Sequence, residues 1–292
     1  MKPSRFTYHA PRDLGEALEL LAEQGDEAKV LAGGQSLLPL LNFRMASPEH
    51  LVDINRLPDL STPSRHADGW TIPALARQRE VETSAELAAD VPLLNQALTQ
   101  VAHPQIRNRG TVCGSLAHGD AAAELPAAML ALGATMHLAG RRGTREVPVE
   151  DFFQFHLTTA IEPDELLLEV RVDDLPAGTH TSFQEFATRR GDFGIAGVAA
   201  VVGLADSGAV TSCRLAVSGV APTPVRLTET EQLIVGNVLE PALIDAAGSA
   251  TQDEVSPTGD VHADAAYRRQ LAGTLTKRAL REVYSKASLT HV

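Results

Sequence analysis

The sequence predicts a two-domain α+β protein, on three observations. Its 292 residues exceed what one hydrophobic core comfortably supports. Near the N-terminus a short apolar strand, a Gly-Gly turn and a helix follow one another, and a second glycine-rich segment later feeds a second helix. Past residue 177 the pattern changes to apolar strands and then to helices.

Taken in chain order, residues 12–24 place Leu14, Ala17, Leu18 and Leu21 on one helical face, and Gly25 stops the pattern. Residues 29–32 read as a strand, Gly33 and Gly34 as a tight turn, and Ser36 as the cap of a helix over 37–45 with Pro39 in its first turn. A second strand is expected over 50–54, a turn-rich stretch over 58–73, and a helix over 85–101 with an irregularity at Pro92. Residues 106–120 carry glycines but no helical period, so they read as a loop feeding a small-residue helix over 125–132 that Gly133 closes. Leu166, Leu167, Leu168, Val170 and Val172 predict a strand, broken by the Asp173-Asp174-Leu175-Pro176 run. The boundary is therefore set between domains of residues 1–176 and 177–292. Beyond it, residues 181–188, 195–204 and 210–220 read as strands, the last two joined by a hairpin at 205–209. Residues 265–286 form the longest helical candidate, expected to pack on this small sheet. No tandem repeat is evident.

Charge and cysteine content exclude several functions. With 25 Lys and Arg against 37 Asp and Glu, the net charge is −12, and a nucleic-acid or anionic-membrane surface would repel its partner. No apolar run approaches the roughly 20 residues of a membrane span, and the N-terminus lacks the apolar stretch of a secretory signal, so a cytoplasmic protein without membrane insertion is expected. Cys113 and Cys213 alone cannot supply the four thiolates of an iron–sulfur cluster, and the ten His show no zinc-site spacing, so no metal ligand is assigned. Redox chemistry would have to come from an organic cofactor or a partner.

Two segments carry the chemical signal. In Leu31-Ala32-Gly33-Gly34-Gln35-Ser36-Leu37, two residues lacking a Cβ let the backbone approach a ligand, and a helix opening at Ser36 would aim free N–H groups at an anion. In the second segment, 108–120, the hydroxyls of Thr111 and Ser115 flank small residues including Gly114. Two such loops suit a pyrophosphate dinucleotide better than one phosphate, and Glu124, just beyond, could accept from ribose hydroxyls. Either loop alone is more often a plain connection, and neither matches the Rossmann or P-loop pattern. Ser115 and Ser218 lie outside any nucleophile elbow. His103 and His118 read as ordinary hydrogen-bonding side chains, and Cys113 as packing.

Together these residues resemble the flavin-carrying medium subunit of the molybdenum hydroxylases, the group of xanthine dehydrogenase and aerobic carbon monoxide dehydrogenase. The likeness spans nearly the whole chain. It rests on Ala32-Gly33-Gly34-Gln35-Ser36-Leu37-Leu38-Pro39 with Asn42-Phe43-Arg44-Met45, on Ile106-Arg107-Asn108-Arg109-Gly110-Thr111 through Ser115-Leu116-Ala117-His118, and on Glu124-Leu125-Pro126-Ala127-Ala128. The resemblance implies a two-part PCMH-type (vanillyl-alcohol-oxidase-like) FAD-binding domain, followed by a smaller C-terminal domain of the carbon monoxide dehydrogenase flavoprotein type with an antiparallel sheet and helices. It implies that the FAD pyrophosphate lies between the loops, at Ala32, Gly33, Gly34, Gln35, Ser36 and Leu37 and at Thr111, Gly114 and Ser115, with Glu124 and Leu168 as further cofactor contacts. Phe193 matches a position that is often aromatic beside the isoalloxazine; its other reading is a core aromatic of the second domain. No residue is implied as a catalytic acid or base.

Two departures from the family stand out. Cys113 replaces the first glycine of the usual Thr-x-Gly-Gly, and Glu185 stands where a lysine is common. An ionised carboxylate cannot donate a hydrogen bond, so flavin potential or acceptor choice is expected to differ. The implied function is electron transfer within a heterotrimer. A small [2Fe-2S] subunit would deliver electrons, a large subunit would hold the molybdenum cofactor and the substrate, an external acceptor would remove the electrons, and the assembly would be a dimer of heterotrimers. The alternatives are a non-catalytic nucleotide-binding assembly subunit and a self-sufficient flavin oxidase.

Overall fold

The computed structural model of the protein describes residues 2–290. The first helix forms where its apolar face is expected, at Leu14–Gln24, because the Asp13 carboxylate accepts from the Glu16 N–H and Gly25, at φ 51°, turns the chain out of it. Strands Ala28–Leu31 and His50–Asp53 pair in parallel, and Thr7–His9, too short to show a period, joins the other side of His50–Asp53. Ala17 and Leu21 of the helix pack with Val52, Ile54, Leu75 and Leu166 beneath this small sheet.

Two expectations around the first loop are corrected. The helix after the turn runs only over Leu37–Asn42, because Arg44 takes a left-handed φ of 57° and carries the chain away. Ser36 makes no side-chain cap; it already has helical dihedrals, and the helical path starts with the Leu38 N–H donating to the Gly34 carbonyl at 3.0 Å.

The middle of the chain forms a five-stranded antiparallel sheet in the order Ser64–Arg65, Gly69–Pro73, Glu165–Asp173, Thr135–Gly140, Gly143–Pro148. The stretch expected to be turn-rich therefore contains a strand, Gly69–Pro73, all of it buried; covered on both faces, it shows no apolar–polar alternation. The helix expected over 85–101 is two helices, Ala85–Asp90 and Pro92–Leu98, since Pro92 can open a helix but not continue one. The segment 106–120 is corrected from loop to helix over Val112–His118: the Thr111 hydroxyl accepts from the Gly114 N–H at 3.0 Å, and Gly119 closes it at φ 65°. Seven residues with one glycine carry too few apolar positions to declare a period.

In the C-terminal part, Thr179–Ala187, Gly194–Leu204, Val210–Ser218 and Val225–Arg226 make a four-stranded antiparallel sheet buried on both faces. Side-chain alternation sends Phe183, Ala199, Val201 and Ala216 toward the N-terminal core and Val198, Ala200, Val202, Leu215 and Val217 toward a second core. Against the first face lie helices Pro92–Leu98 and Glu124–Leu132, the latter buried at all nine positions. Against the second lies the long helix Ala265–Thr290, as expected, braced by Pro241–Glu254. Alanine and glycine dominate strand Gly194–Leu204, so helices approach it closely from both sides. Among the described residues no helix is long and apolar enough to cross a membrane.

Phe152 is fully buried where the middle sheet meets helix Glu124–Leu132. Phe152→Ala is expected to cost about 3–5 kcal/mol of unfolding free energy, seen as a lower urea midpoint at unchanged slope.

Candidate functional site

The two glycine segments touch through their backbones. A Cβ on Gly33 would stand 2.5 Å from the Arg109 carbonyl oxygen and 2.7 Å from Gly110 Cα, so only glycine permits the approach. Gly34, at φ 72°, then turns the chain into Leu37–Asn42.

A polar strut fixes this junction. Asn55 Nδ2 donates to the Ala32 carbonyl at 2.8 Å, while its Oδ1 accepts from Arg77 Nη2 at 2.6 Å; Arg77 Nη1 in turn donates to the Arg109 carbonyl at 2.6 Å. Beside it the Gln78 N–H donates to the Gly110 carbonyl at 2.9 Å and the Val112 N–H to the Ala76 carbonyl at 3.1 Å. Sequence reasoning missed Asn55, Arg77 and Gln78. Asn55 had a weak local signal, an Asp-x-Asn turn closing a strand; nothing local marks the other two.

The surface left at this junction is open. Ala32, Gly34, Gln35, Leu37, Gly114 and Ser115 are half-buried and Ser36 is exposed, whereas Gly33 and Thr111 are buried beneath them. Thr111 uses its hydroxyl oxygen on the helix cap, which leaves its O–H as what it can offer a guest. Leu37–Asn42 has six residues, so it offers an anion local N–H groups rather than a long macrodipole. Leu168 sits at a bulge between Leu167 and Glu169, its carbonyl accepting from the Ala74 N–H at 2.7 Å and its side chain packed in the same cluster as Ala32.

Phe193 is 74% exposed, which overturns its reading as a core aromatic. Gly191 presses on the His103 imidazole so closely that a Cβ would overlap it, and this sets Phe193's turn against the helix Pro104–Arg107 that leads into the second segment. Cys113 points the other way: buried, with its thiol donating to the Ile72 carbonyl at 3.4 Å and pushed far up in pKa by burial. Its helical backbone needs no positive φ, which explains how a side chain replaces the family's glycine.

Glu124 opens the buried helix and is itself only 8% exposed. Burial, aided by the charge of Asp120, pushes its carboxyl up to about 7. Glu185, on strand Thr179–Ala187 of the C-terminal sheet, is pushed up to about 8 by burial and by the Glu124 charge. A simple ionised acceptor for ribose at Glu124 is thereby weakened. Burial pushes His118 down, and no described geometry gives it or His103 a reacting partner. Elsewhere, Glu27, Glu49 and His50 bring ligand-type atoms within 4.8 Å of one another at the surface, as exposed acids do without a metal. Open surface hollows lined by Arg5, Thr7 and Glu49 and by Arg65, Asp90 and Asp174 contain no predicted site residue.

This arrangement has close relatives. A family model described as the FAD binding domain in molybdopterin dehydrogenase matches residues 4–174, and one described as the CO dehydrogenase flavoprotein C-terminal domain matches residues 181–283. The chain belongs to the FAD-binding medium subunits of the molybdenum hydroxylases. The alpha subunit of the 6-hydroxypseudooxynicotine dehydrogenase complex of Paenarthrobacter nicotinovorans is 42% identical over 290 residues, 99% of this chain and 98% of that one. The carbon monoxide dehydrogenase medium chain of Hydrogenophaga pseudoflava is 37% identical over 99% of this chain and 100% of its own. Among solved structures, the carbon monoxide dehydrogenase of Hydrogenophaga pseudoflava lacking the Mo-pyranopterin moiety superposes with a TM-score of 0.94 at 38% identity, covering 98% of this chain and 99% of that one. Quinoline 2-oxidoreductase of Pseudomonas putida 86 does so with a TM-score of 0.93 at 35% identity, covering 98% and 99%.

As a medium subunit, this chain is an oxidoreductase component whose cofactor is FAD. Its residues fit that cofactor: a Cβ at Gly33 would fill the approach to residues 109–110, and Ala32, Gly34, Gln35, Gly114 and Ser115 stay partly open around that junction.

Arg77→Ala removes a charged donor from both halves of the strut, a bond type worth about 1.5–3 kcal/mol. Amide exchange at residues 109–114 is expected to quicken by about tenfold or more while the C-terminal sheet keeps its protection, read by hydrogen–deuterium mass spectrometry.

Proposed function

We propose that this medium subunit is the electron-transfer component of a heterotrimeric molybdenum hydroxylase. FAD in the cleft would take electrons from a small [2Fe-2S] subunit and pass them to an external acceptor, with substrate hydroxylation at the molybdenum cofactor of a large subunit and the trimers paired. The reading is carried by the Gly33 contact with residues 109–110, which brings the two glycine segments together at one junction. When bound, the flavin supplies the redox chemistry by accepting and releasing electrons.

The chain's own residues hold and orient it. Ala32, Gly33, Gly34, Gln35, Ser36 and Leu37 would meet the diphosphate from one side, and Thr111, Gly114 and Ser115 from the other, through N–H and hydroxyl donors. Leu168 would close the groove with backbone and methyl groups. Phe193, unburied by its own chain, would lie on the flavin ring, an apolar face left for an aromatic partner. Residues 1–176 would form the FAD domain and 177–292 the second domain, a division supported by family matches that end at 174 and resume at 181. Names of other relatives, the nicotine 6-hydroxylase medium subunit and caffeine dehydrogenase subunit beta, support a multi-subunit setting. The net charge of −12 speaks against a nucleic-acid partner, and a cytoplasmic setting is part of the proposal.

Purified protein is expected to show flavin absorbance that dithionite bleaches and an acceptor restores, and to oxidise no organic substrate without its partners. A valine at position 33 would collide with the Arg109 carbonyl at 2.5 Å, and one at 114 with the Thr111 hydroxyl at 2.6 Å. Gly33→Val and Gly114→Val are therefore expected to lose FAD, by at least about tenfold in occupancy, while the far-ultraviolet dichroism persists. Full flavin occupancy in both variants would falsify the loop assignment, and substrate turnover by the isolated chain would replace this reading with that of a self-sufficient oxidase.

A further inference from the structure

Of the residues that carry the family likeness, Asn42, Phe43, Arg44 and Met45 take no part in the cofactor grip. They lead out of helix Leu37–Asn42, where Arg44 at φ 57° swings the chain outward. The Met45 and Ala46 N–H groups still donate to the Leu40 carbonyl, at 2.9 and 3.4 Å, Arg44 Nε donates to the Lys2 carbonyl at 3.3 Å, and Ser47 Oγ lies 3.2 Å from Ser4 Oγ. The backbone is thus held on both sides of Met45, while its side chain stands in water, 75% exposed. Leu38 and Phe43, exposed on the same short segment, make this an apolar stretch of surface.

Every other sulfur among the described residues is shielded. Met129, in helix Glu124–Leu132, and Met136, on strand Thr135–Gly140, have no exposed surface and pack in the N-terminal core. Cys113 and Cys213 are buried too, and burial pushes both thiols up, Cys213 to about 12, so neither supplies the thiolate that oxidants attack. Met1 lies outside the described residues. A thioether has no proton to lose, so its reactivity toward an oxidant is governed by access to the sulfur.

We propose that Met45 is a peroxide-reactive modification site, a thioether that hydrogen peroxide converts to the sulfoxide while the other described sulfurs are spared. The sulfur attacks one peroxide oxygen; an S–O bond forms as the O–O bond breaks, and the second oxygen leaves as water with both protons. Sulfur loses two electrons and the peroxide gains them. The product is polar and accepts hydrogen bonds, so oxidation wets a surface that Leu38, Phe43 and Met45 otherwise keep apolar. Because the side chain stands in water, the change leaves the fold in place, and a methionine sulfoxide reductase with a dithiol as reductant returns the thioether. The site follows from this chain's own pattern of exposure and needs no bound flavin.

The test treats the purified full chain with dilute hydrogen peroxide and follows its tryptic peptides by mass spectrometry. Peptide 45–56, whose one sulfur is that of Met45, should gain a single oxygen atom at least about tenfold faster than peptide 110–141, which holds Met129, Met136 and Cys113, because a buried sulfur reacts only when the fold opens. In urea that difference should vanish. Oxidised wild type should elute earlier from a hydrophobic-interaction column with its far-ultraviolet dichroism unchanged, and a methionine sulfoxide reductase with a dithiol should restore both mass and elution. Met45→Leu, which keeps a similar apolar volume, should fold as wild type and show no shift in elution after peroxide. An unoxidised peptide 45–56, equal rates for the two peptides in the folded protein, or an elution shift that persists in Met45→Leu overturns the proposal.

Discussion

The closeness of one glycine to a foreign backbone governs this molecule. Gly33 stands where any side chain would displace residues 109–110, and that contact joins a parallel three-stranded unit to a helix N-terminus that follows much later in the chain. Asn55 and Arg77 keep the contact by satisfying carbonyls on both sides of it. The result is a junction of two backbone segments left partly open to solvent, where main-chain and hydroxyl donors could meet a diphosphate. Because the donors belong to backbone held on both sides, their positions are set before any ligand arrives, so little ordering is left to oppose binding.

Burial of helix Glu124–Leu132 on all sides supplies the second constraint. A helix without a polar face cannot lie at a surface; it must be clamped between layers, here the middle sheet on one side and the C-terminal sheet on the other. Clamping it carries its first residue, Glu124, out of water, so the packing that stabilises the seam also raises the cost of a charge at its edge.

Much of this was legible locally. The helix over 14–24, the strands at 28–31, 50–53 and 165–173, the Gly133 stop and the three long C-terminal strands follow from periodicity and turn chemistry. The glycine segments and their family likeness pointed to FAD before any geometry. Legibility failed where burial is two-sided or the element is short. Strand Gly69–Pro73 reads as loop because nothing alternates, and Val112–His118 reads as loop because its cap and a glycine crowd seven residues. Phe193 was ambiguous because an aromatic in a Gly-Asp-Phe turn looks the same in sequence whether it fills a core or stands free.

By itself, then, the amino-acid sequence determined the element types with strong periodicity, the two anion-seeking segments, the class of cofactor and the absence of thiolate cluster chemistry in this chain. Those depend on neighbours along the chain, or on residue identities that no fold can alter. Only the tertiary structure decided that Gly33 touches residues 109–110, that Asn55 and Arg77 brace the contact, that Cys113 faces the core, and that Glu124 is taken out of water. Each of those is a contact between residues far apart in sequence, and both hydrogen bonding and desolvation are properties of the surroundings a side chain is given.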